Sequence, residues 1–241
     1  MKFELSNHKN FKNAMSVAEL MIDEVRLECD RDGVRFRGLD RSHIAFINME
    51  IGKDYFEEYE IGQPETCVFD TSEIVKVLKR IKSDDKLIFK SDDENVTLQF
   101  IGESKRTFNI RQIDILYDSP ALPNMTYPCS INIEYDKFNE SIKDCELYDT
   151  KLKATINKEA LTISSTGDLG EYLSEILITE DINEEYSSIF SIDWLKNFLK
   201  MGKMGDNEIN IRLGNNMPIQ LRFDDDEFKT EFMLAPRIEE G

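Results

Sequence analysis

Runs of acidic side chains are the first candidates for chemistry: Asp84-Asp85, Asp92-Asp93 and Asp224-Asp225-Asp226. Converging carboxylates can hold Mg²⁺, and Mg²⁺ supports phosphoryl transfer. Each run lies in a turn-forming stretch, where a solvated Asp that bonds its own backbone is equally at home. Other ingredients of catalysis are sparse. His8 and His43 are the only histidines, and Cys29, Cys67, Cys129 and Cys145 contain no C-x-x-C pair. Neither a zinc site nor a disulfide framework is expected, and the thiols should be reduced. No G-x-x-x-x-G-K-[ST] loop and no G-x-S-x-G elbow occurs. The expectation is a protein without catalytic residues, metal or cofactor.

The lysines suggest a different chemistry. In the window 72–83, Ile74, Val77, Leu78 and Ile81 follow the i, i+3, i+4, i+7 rule of a buried helical stripe. Lys76, Lys79, Arg80 and Lys82 supply the same helix with cations. In 191–203, Trp194, Leu195, Phe198 and Leu199 form a core side, and Lys196, Lys200 and Lys203 form a separate row. In 8–22, Phe11, Met15, Ala18 and Ile22 point inward and leave Lys9 and Lys12 outside. The window 136–147 is mixed: Lys137 and Lys143 share it with Asp136, Glu140, Asp144 and Glu146.

These four windows hold 11 Lys/Arg and 7 Asp/Glu in 52 residues, within a chain whose formal net charge is -18. The other 189 residues therefore carry -22. Lysine on one solvated helix face is commonplace. Cations concentrated on helices inside so acidic a chain suit phosphates on one surface, with nucleic acid repelled elsewhere. Lys and Arg contacts to phosphate carry no sequence information and weaken with salt. No base-reading element is evident. Non-specific binding of duplex DNA is expected, through Lys9, Lys12, Lys76, Lys79, Arg80, Lys82, Lys143, Lys196, Lys200 and Lys203.

These helices sit in a chain that repeats itself. At an offset of 127 residues, Phe11 falls on Phe138, Glu19-Leu20 on Glu146-Leu147, Val25 on Leu152 and Phe36 on Ile163. At offsets of 121 to 123, Phe69 falls on Phe190, Leu78 on Leu199, Phe89 on Ile211 and Leu98 on Leu221. Few pairs are identities, but apolar phase is kept. β-rich segments at 24–29, 33–38, 44–51, 86–91, 95–101 and 105–111 alternate with turn signals such as Asp30-Arg31-Asp32-Gly33. The stretch 112–129 holds three of the six prolines and reads as extended. The fold class is α+β: two equivalent domains, 1–112 and 130–241, joined by a connector at 113–129, each with helices on one face and antiparallel strands on the other. Met1-Lys2-Phe3-Glu4 opens into a strand pattern without a signal-peptide core, and no apolar run approaches the roughly 20 residues of a membrane span. An intracellular protein is expected.

Several segments resemble the archaeal and eukaryotic sliding clamps of the proliferating cell nuclear antigen family. They are Leu39-Asp40-Arg41-Ser42-His43-Ile44, the Gly167-Asp168-Leu169-Gly170 turn, Asn216-Met217-Pro218-Ile219 before Asp224-Asp225-Asp226, and Leu234-Ala235-Pro236-Arg237-Ile238-Glu239. The resemblance covers essentially the whole chain, and its short length looks archaeal. It implies two processivity-fold domains and a homotrimeric ring that slides on DNA as a polymerase processivity factor. It also implies an ATP-driven clamp loader, and partners such as DNA polymerase, flap endonuclease and ligase that carry a clamp-binding peptide. Location would be cytoplasmic and nucleoid-associated in an archaeon, nuclear in a eukaryote. The partner-peptide pocket that it implies comprises Leu39, His43, Ile44, Phe46, Leu122, Pro123, Tyr127, Pro218, Met233, Leu234, Ala235 and Pro236. The subunit interface that it implies joins an edge at 105–111, with Lys105, Arg106, Phe108 and Arg111, to an edge at 171–178, with Glu171, Leu173 and Glu175.

Each assignment has a plainer counterpart. His43 could be a partly buried structural histidine, Leu122 and Pro123 linker packing, and the two edges strands merely protected by charge. A checkpoint-type or heterotrimeric clamp subunit, or an acidic scaffold, would share the fold.

Overall fold

The computed structural model describes residues 1–114 and 118–238; connector residues 115–117 and Glu239 of the C-terminal motif lie outside the described residues. Four α-helices occur among the described residues: α1 (Lys9–Ala18), α2 (Thr71–Leu78), α3 (Tyr135–Cys145) and α4 (Ile192–Leu199). The first nine strands are β1 (Lys2–Leu5), β2 (Glu24–Asp30), β3 (Gly33–Leu39), β4 (Ala45–Gly52), β5 (Glu58–Glu60), β6 (Glu65–Asp70), β7 (Lys86–Ser91), β8 (Asn95–Ile101) and β9 (Lys105–Arg111). The remainder are β10 (Cys129–Glu134), β11 (Lys151–Ile156), β12 (Ala160–Gly167), β13 (Gly170–Leu177), β14 (Tyr186–Ser191), β15 (Glu208–Leu213), β16 (Ile219–Asp225) and β17 (Phe228–Leu234).

The chain forms two compact units that exchange short segments. One comprises Met1–Arg41, Ile47–Leu122 and Asp225–Thr230; the other comprises Ser42–Phe46, Pro123–Asp224 and Glu231–Gly241. Strands of the first unit run in the orders β5-β1-β7-β8-β9 and β6-β2-β3-β4. Those of the second run β10-β15-β16-β17 and β14-β11-β12-β13. Apart from β5, which has no counterpart in the second unit, the two topologies are the same, and the register repeats. Val25 lies opposite Phe69 in the first unit, and their sequence counterparts Leu152 and Phe190 lie opposite each other in the second. Phe89 opposite Leu98 is likewise repeated by Ile211 opposite Leu221. The apolar phase shared by the two halves is therefore the trace of one strand-pairing pattern used twice.

Strands pass directly into helices. β6 ends at Asp70, whose side chain accepts from the Glu73 amide at 3.0 Å and satisfies one of the free N–H groups of α2. β14 enters α4 in the same way, but Ser191 makes no side-chain cap. α1 packs beside α2, and α3 beside α4. In the first unit Phe3, Phe11 and Phe89 form the centre of the core, with Phe3 stacked on Phe89 at 4.6 Å. In the second, Phe198 of α4 stacks on Phe232 of β17 at 4.8 Å. Gly33 closes the β2–β3 turn at φ +147°; a Cβ there would stand 2.0 Å from the Ile51 carbonyl oxygen.

The helices are shorter than their periodic windows. α2 stops at Leu78, and the Arg80 and Ile81 amides bond three residues back, to Val77 and Leu78. The buried residues here are Ile74, Val75, Leu78 and Ile81; Val77, expected in the stripe, is only half-buried. In α1 the buried set is Asn10, Phe11, Ala14, Met15, Val17 and Ala18, and Ile22, beyond the helix end, is only half-buried.

Candidate nucleic-acid interface

Lys9, Lys76, Lys79, Arg80, Lys82, Lys143, Lys200 and Lys203 are exposed, and Lys12 and Lys196 are half-buried. The first unit therefore presents the cations of α1 and α2 on a shared helical layer, and the second presents those of α3 and α4. Carboxylates accompany them. Lys76 Nζ meets Glu73 at 2.7 Å, Lys79 meets Glu19 at 3.3 Å and Lys82 meets Glu103 at 3.2 Å. Lys203 meets Asp136 at 2.5 Å, Lys196 pairs with Glu146, and Lys200 donates to Asn197 Oδ1 at 2.9 Å. The Glu73 partner raises the Lys76 ammonium above its ordinary pKa. Among the described residues no carboxylate is paired with Lys9, Lys12, Arg80, Lys143 or Lys200. The acidic partners were not singled out from the sequence. Glu73–Lys76 was visible as an i, i+3 pair, but Glu19–Lys79 and Asp136–Lys203 exist only through tertiary packing.

The candidate Mg²⁺ runs do not form a site. Asp85 is buried, accepts from the Lys82 amide at 2.9 Å and is ion-paired with Arg106. The Lys82 amide is the main cause of its lowered pKa, ahead of Arg106. Asp92 accepts from the Glu94 and Asn95 amides of its own turn, and Asp225 from Asn10 at 2.9 Å. No group of three metal-ligating side chains converges among the described residues. Burial holds the thiols protonated, pushing Cys67 and Cys145 to about 12 and Cys129 to about 11.

Both edge segments are terminal strands: β9 pairs only with β8, and β13 only with β12, among the described residues. Lys105 and Arg111 are exposed on β9; Glu171 and Glu175 are exposed on β13, where Leu173 is 62% and Leu177 81% exposed. Phe108 packs on Phe100 at 5.1 Å and is half-buried. Arg106 differs from expectation. It is bound inward to Asp85, donates to the Arg80 carbonyl at 2.9 Å and lies over the Phe100 ring, so it braces its own unit instead of offering a free edge charge.

Among the pocket residues, Leu39 and Leu122 belong to the first unit and the other ten to the second. Leu39, His43, Ile44 and Leu122 are exposed, and Pro123, Tyr127, Pro218, Ala235 and Pro236 are half-buried. Phe46, Met233 and Leu234 are buried instead of lining open surface. Residues 45–49 of β4 and 232–234 of β17 are buried in succession, so alternation does not turn these three side chains outward. His43 is not a buried structural histidine: it is exposed in left-handed backbone at φ +58°. Ala235 donates its amide to the Ile44 carbonyl at 2.8 Å and so ties the C-terminal segment to the His43 loop. A groove of about 310 Å³ beside Leu39, lined by Met21, Ile22, Arg37, Arg41, Asp118 and Pro120 among others, was not foreseen.

The chain is a duplicated α+β domain with cations on its helix layers and, among the described residues, terminal strands β9 and β13 paired on one side only. Comparison with known proteins makes this specific. Residues 1–118 match the N-terminal domain model of proliferating cell nuclear antigen, and residues 121–238 match its C-terminal domain model. The DNA polymerase sliding clamps of Methanobrevibacter smithii and Methanothermobacter thermautotrophicus are each 35% identical over 240 residues, covering 99% of this chain and 98% of theirs. Among solved structures, PCNA from Thermococcus kodakaraensis aligns with a TM-score of 0.91 at 20% identity, covering 98% of this chain and 99% of that one. A PCNA2–PCNA3 complex from Sulfolobus tokodaii aligns at 0.90 and 24%, covering 99% of this chain and 100% of the other. A. fulgidus PCNA bound to the C-terminal region of FEN-1 aligns at 0.88 and 24%, covering 100% of this chain and 99% of that one. The chain belongs to the proliferating cell nuclear antigen family, the DNA polymerase sliding clamps. No described helix is long and apolar enough to cross a membrane.

Proposed function

We propose that three copies of this chain close head to tail, β9 of one against β13 of the next, into a ring around duplex DNA. The ring has no catalytic centre of its own. It slides without sequence preference and holds polymerase on its template. The observation that carries this proposal is the pairing, in each unit, of a cationic helix layer with a bare terminal strand. A heterologous contact that closes by rotation makes a ring and leaves no free edge. The charges favour self-assembly over a mixed ring, because Lys105 and Arg111 at one edge complement Glu171 and Glu175 at the other edge of the same chain. These exposed pairs add only about 0–1 kcal/mol each, so the strand pairing and the leucines supply most of the affinity.

Partners dock through a short peptide with an apolar anchor, received on the second unit by exposed Ile44 and half-buried Tyr127 and Pro236. DNA polymerase, flap endonuclease, ligase and a clamp loader fall in this class, and the site of action is wherever the DNA lies: the cytoplasm of an archaeon. The test is primer extension by the cognate polymerase on a long, singly primed circular template, with loader and ATP, alongside sedimentation of the chain alone. Longer products per binding event and a trimer at micromolar concentration are expected. Unchanged product length, or a monomer at low salt, would defeat the proposal.

A further inference from the structure

Lys76, Lys79, Lys82, Lys196 and Lys203 of the helix layers each carry a carboxylate partner. Glu19 at the end of α1 reaches Lys79 just beyond α2, and Glu146 just beyond α3 reaches Lys196 on α4. Glu19 and Glu146 are counterparts in the sequence repeat, so the same carboxylate position holds a lysine of the neighbouring helix in both units. Glu103 holds Lys82, and Asp136 holds Lys203. A cationic surface selected for the tightest grip on phosphate would not carry a carboxylate beside so many of its cations. We infer that Glu19, Glu103, Asp136 and Glu146 are electrostatic masks, which weaken and smooth the attraction of the helix layers for DNA so that a closed ring can move along it.

The physics is an exchange. An exposed ammonium–carboxylate pair is worth about 0–1 kcal/mol and re-forms freely. A masked lysine that turns to a phosphate gives up its carboxylate, and the carboxylate left behind repels the phosphate. Contact is therefore nearly neutral in free energy, whereas an unmasked lysine gains the whole benefit of counterion release. Topology, not affinity, then keeps the ring on its template. Lys9, Lys12, Arg80, Lys143 and Lys200, which have no carboxylate partner among the described residues, provide the residual attraction. This inference rests on the assignment of the helix layers to DNA.

The test uses the full-length protein and a short fluorescent duplex, with binding followed by anisotropy from 50 to 200 mM salt. Glu19→Gln with Glu146→Gln removes two masks without removing bulk. Glu103→Gln, on an exposed loop, is a second variant with little bearing on folding. Each freed lysine should steepen the slope of log K against log salt by up to about 0.9, and affinity at 50 mM should rise about 3- to 10-fold. Lys79→Ala with Lys196→Ala should do the opposite. If the lysine variant weakens binding but both carboxamide variants leave slope and affinity unchanged, the masks are refuted and the DNA-facing assignment stands. If all three leave binding unchanged, the assignment itself falls.

Discussion

Replacing Leu173 and Leu177 by serine puts the joint between protomers to a quantitative test. Both lie on β13 with Glu175 between them, on the side of the strand opposite the buried Ile176. They are 62% and 81% exposed, unusual for side chains whose burial is worth about 1.5–3 kcal/mol. Scaled by those fractions, covering them contributes roughly 1–2 kcal/mol each, or about 2–4 kcal/mol per interface. The double substitution should therefore weaken each contact about 30- to 700-fold. Fold stability should move by no more than about 0.5 kcal/mol, because neither side chain belongs to the core of its own unit. Sedimentation velocity across a dilution series reads the first quantity and thermal unfolding of the monomer the second. A variant that remains trimeric at the concentrations where the parent does would refute the assignment of β13. Loss of the fold would refute the claim that these leucines are free of the core.

Ile44→Ala with Tyr127→Ala should weaken a clamp-binding partner peptide about tenfold by calorimetry while leaving the proposed trimer intact; unchanged affinity would move the docking site elsewhere. Phe198→Ala removes a fully buried ring stacked on Phe232, and should cost about 3–5 kcal/mol by denaturant unfolding. The thiols give a pH prediction. Burial raises Cys129 to about 11 and Cys67 and Cys145 to about 12, so the folded state holds protons that the unfolded state, with thiols near 8.5, releases. Their contribution to stability is complete below about pH 8.5 and is lost progressively as pH rises from there towards 12. A thiol reagent at pH 8 should label these cysteines only after denaturation; rapid labelling of the native protein would contradict their burial.

Local pattern revealed the strands well wherever one face is covered and the other wet. Segments 95–101 and 105–111 match β8 and β9 residue for residue, because their polar and apolar side chains alternate. Alternation fails where both faces are covered, as at residues 45–49 and 232–234; Phe46, Met233 and Leu234, which the resemblance assigns to the pocket, are buried there. Periodicity located the helices but overran their ends, since the turn after Leu78 keeps apolar spacing while its hydrogen bonds tighten. The cations of the helix layers were legible as residue types; their carboxylate partners were not, because Lys79 and Glu19 are 60 residues apart. Arg106 carries the same lesson: a charge on an edge strand looks free until the fold delivers Asp85 to it.

The allotment of Asp225–Thr230 to the first unit bears on any attempt to dissect the protein. Those few residues supply the Glu227 carbonyl to the Gly52 amide at 2.8 Å, the Asp225 carboxylate to Asn10 and the Phe228 ring to Tyr55. A fragment cut at the connector would leave the buried Asn10 amide with only the Tyr55 hydroxyl, at 3.3 Å, as acceptor, and would uncover the side of Tyr55. Truncation should therefore yield an unstable N-terminal half, and a stable one should be recovered by grafting the hairpin 225–230 back as a tethered peptide.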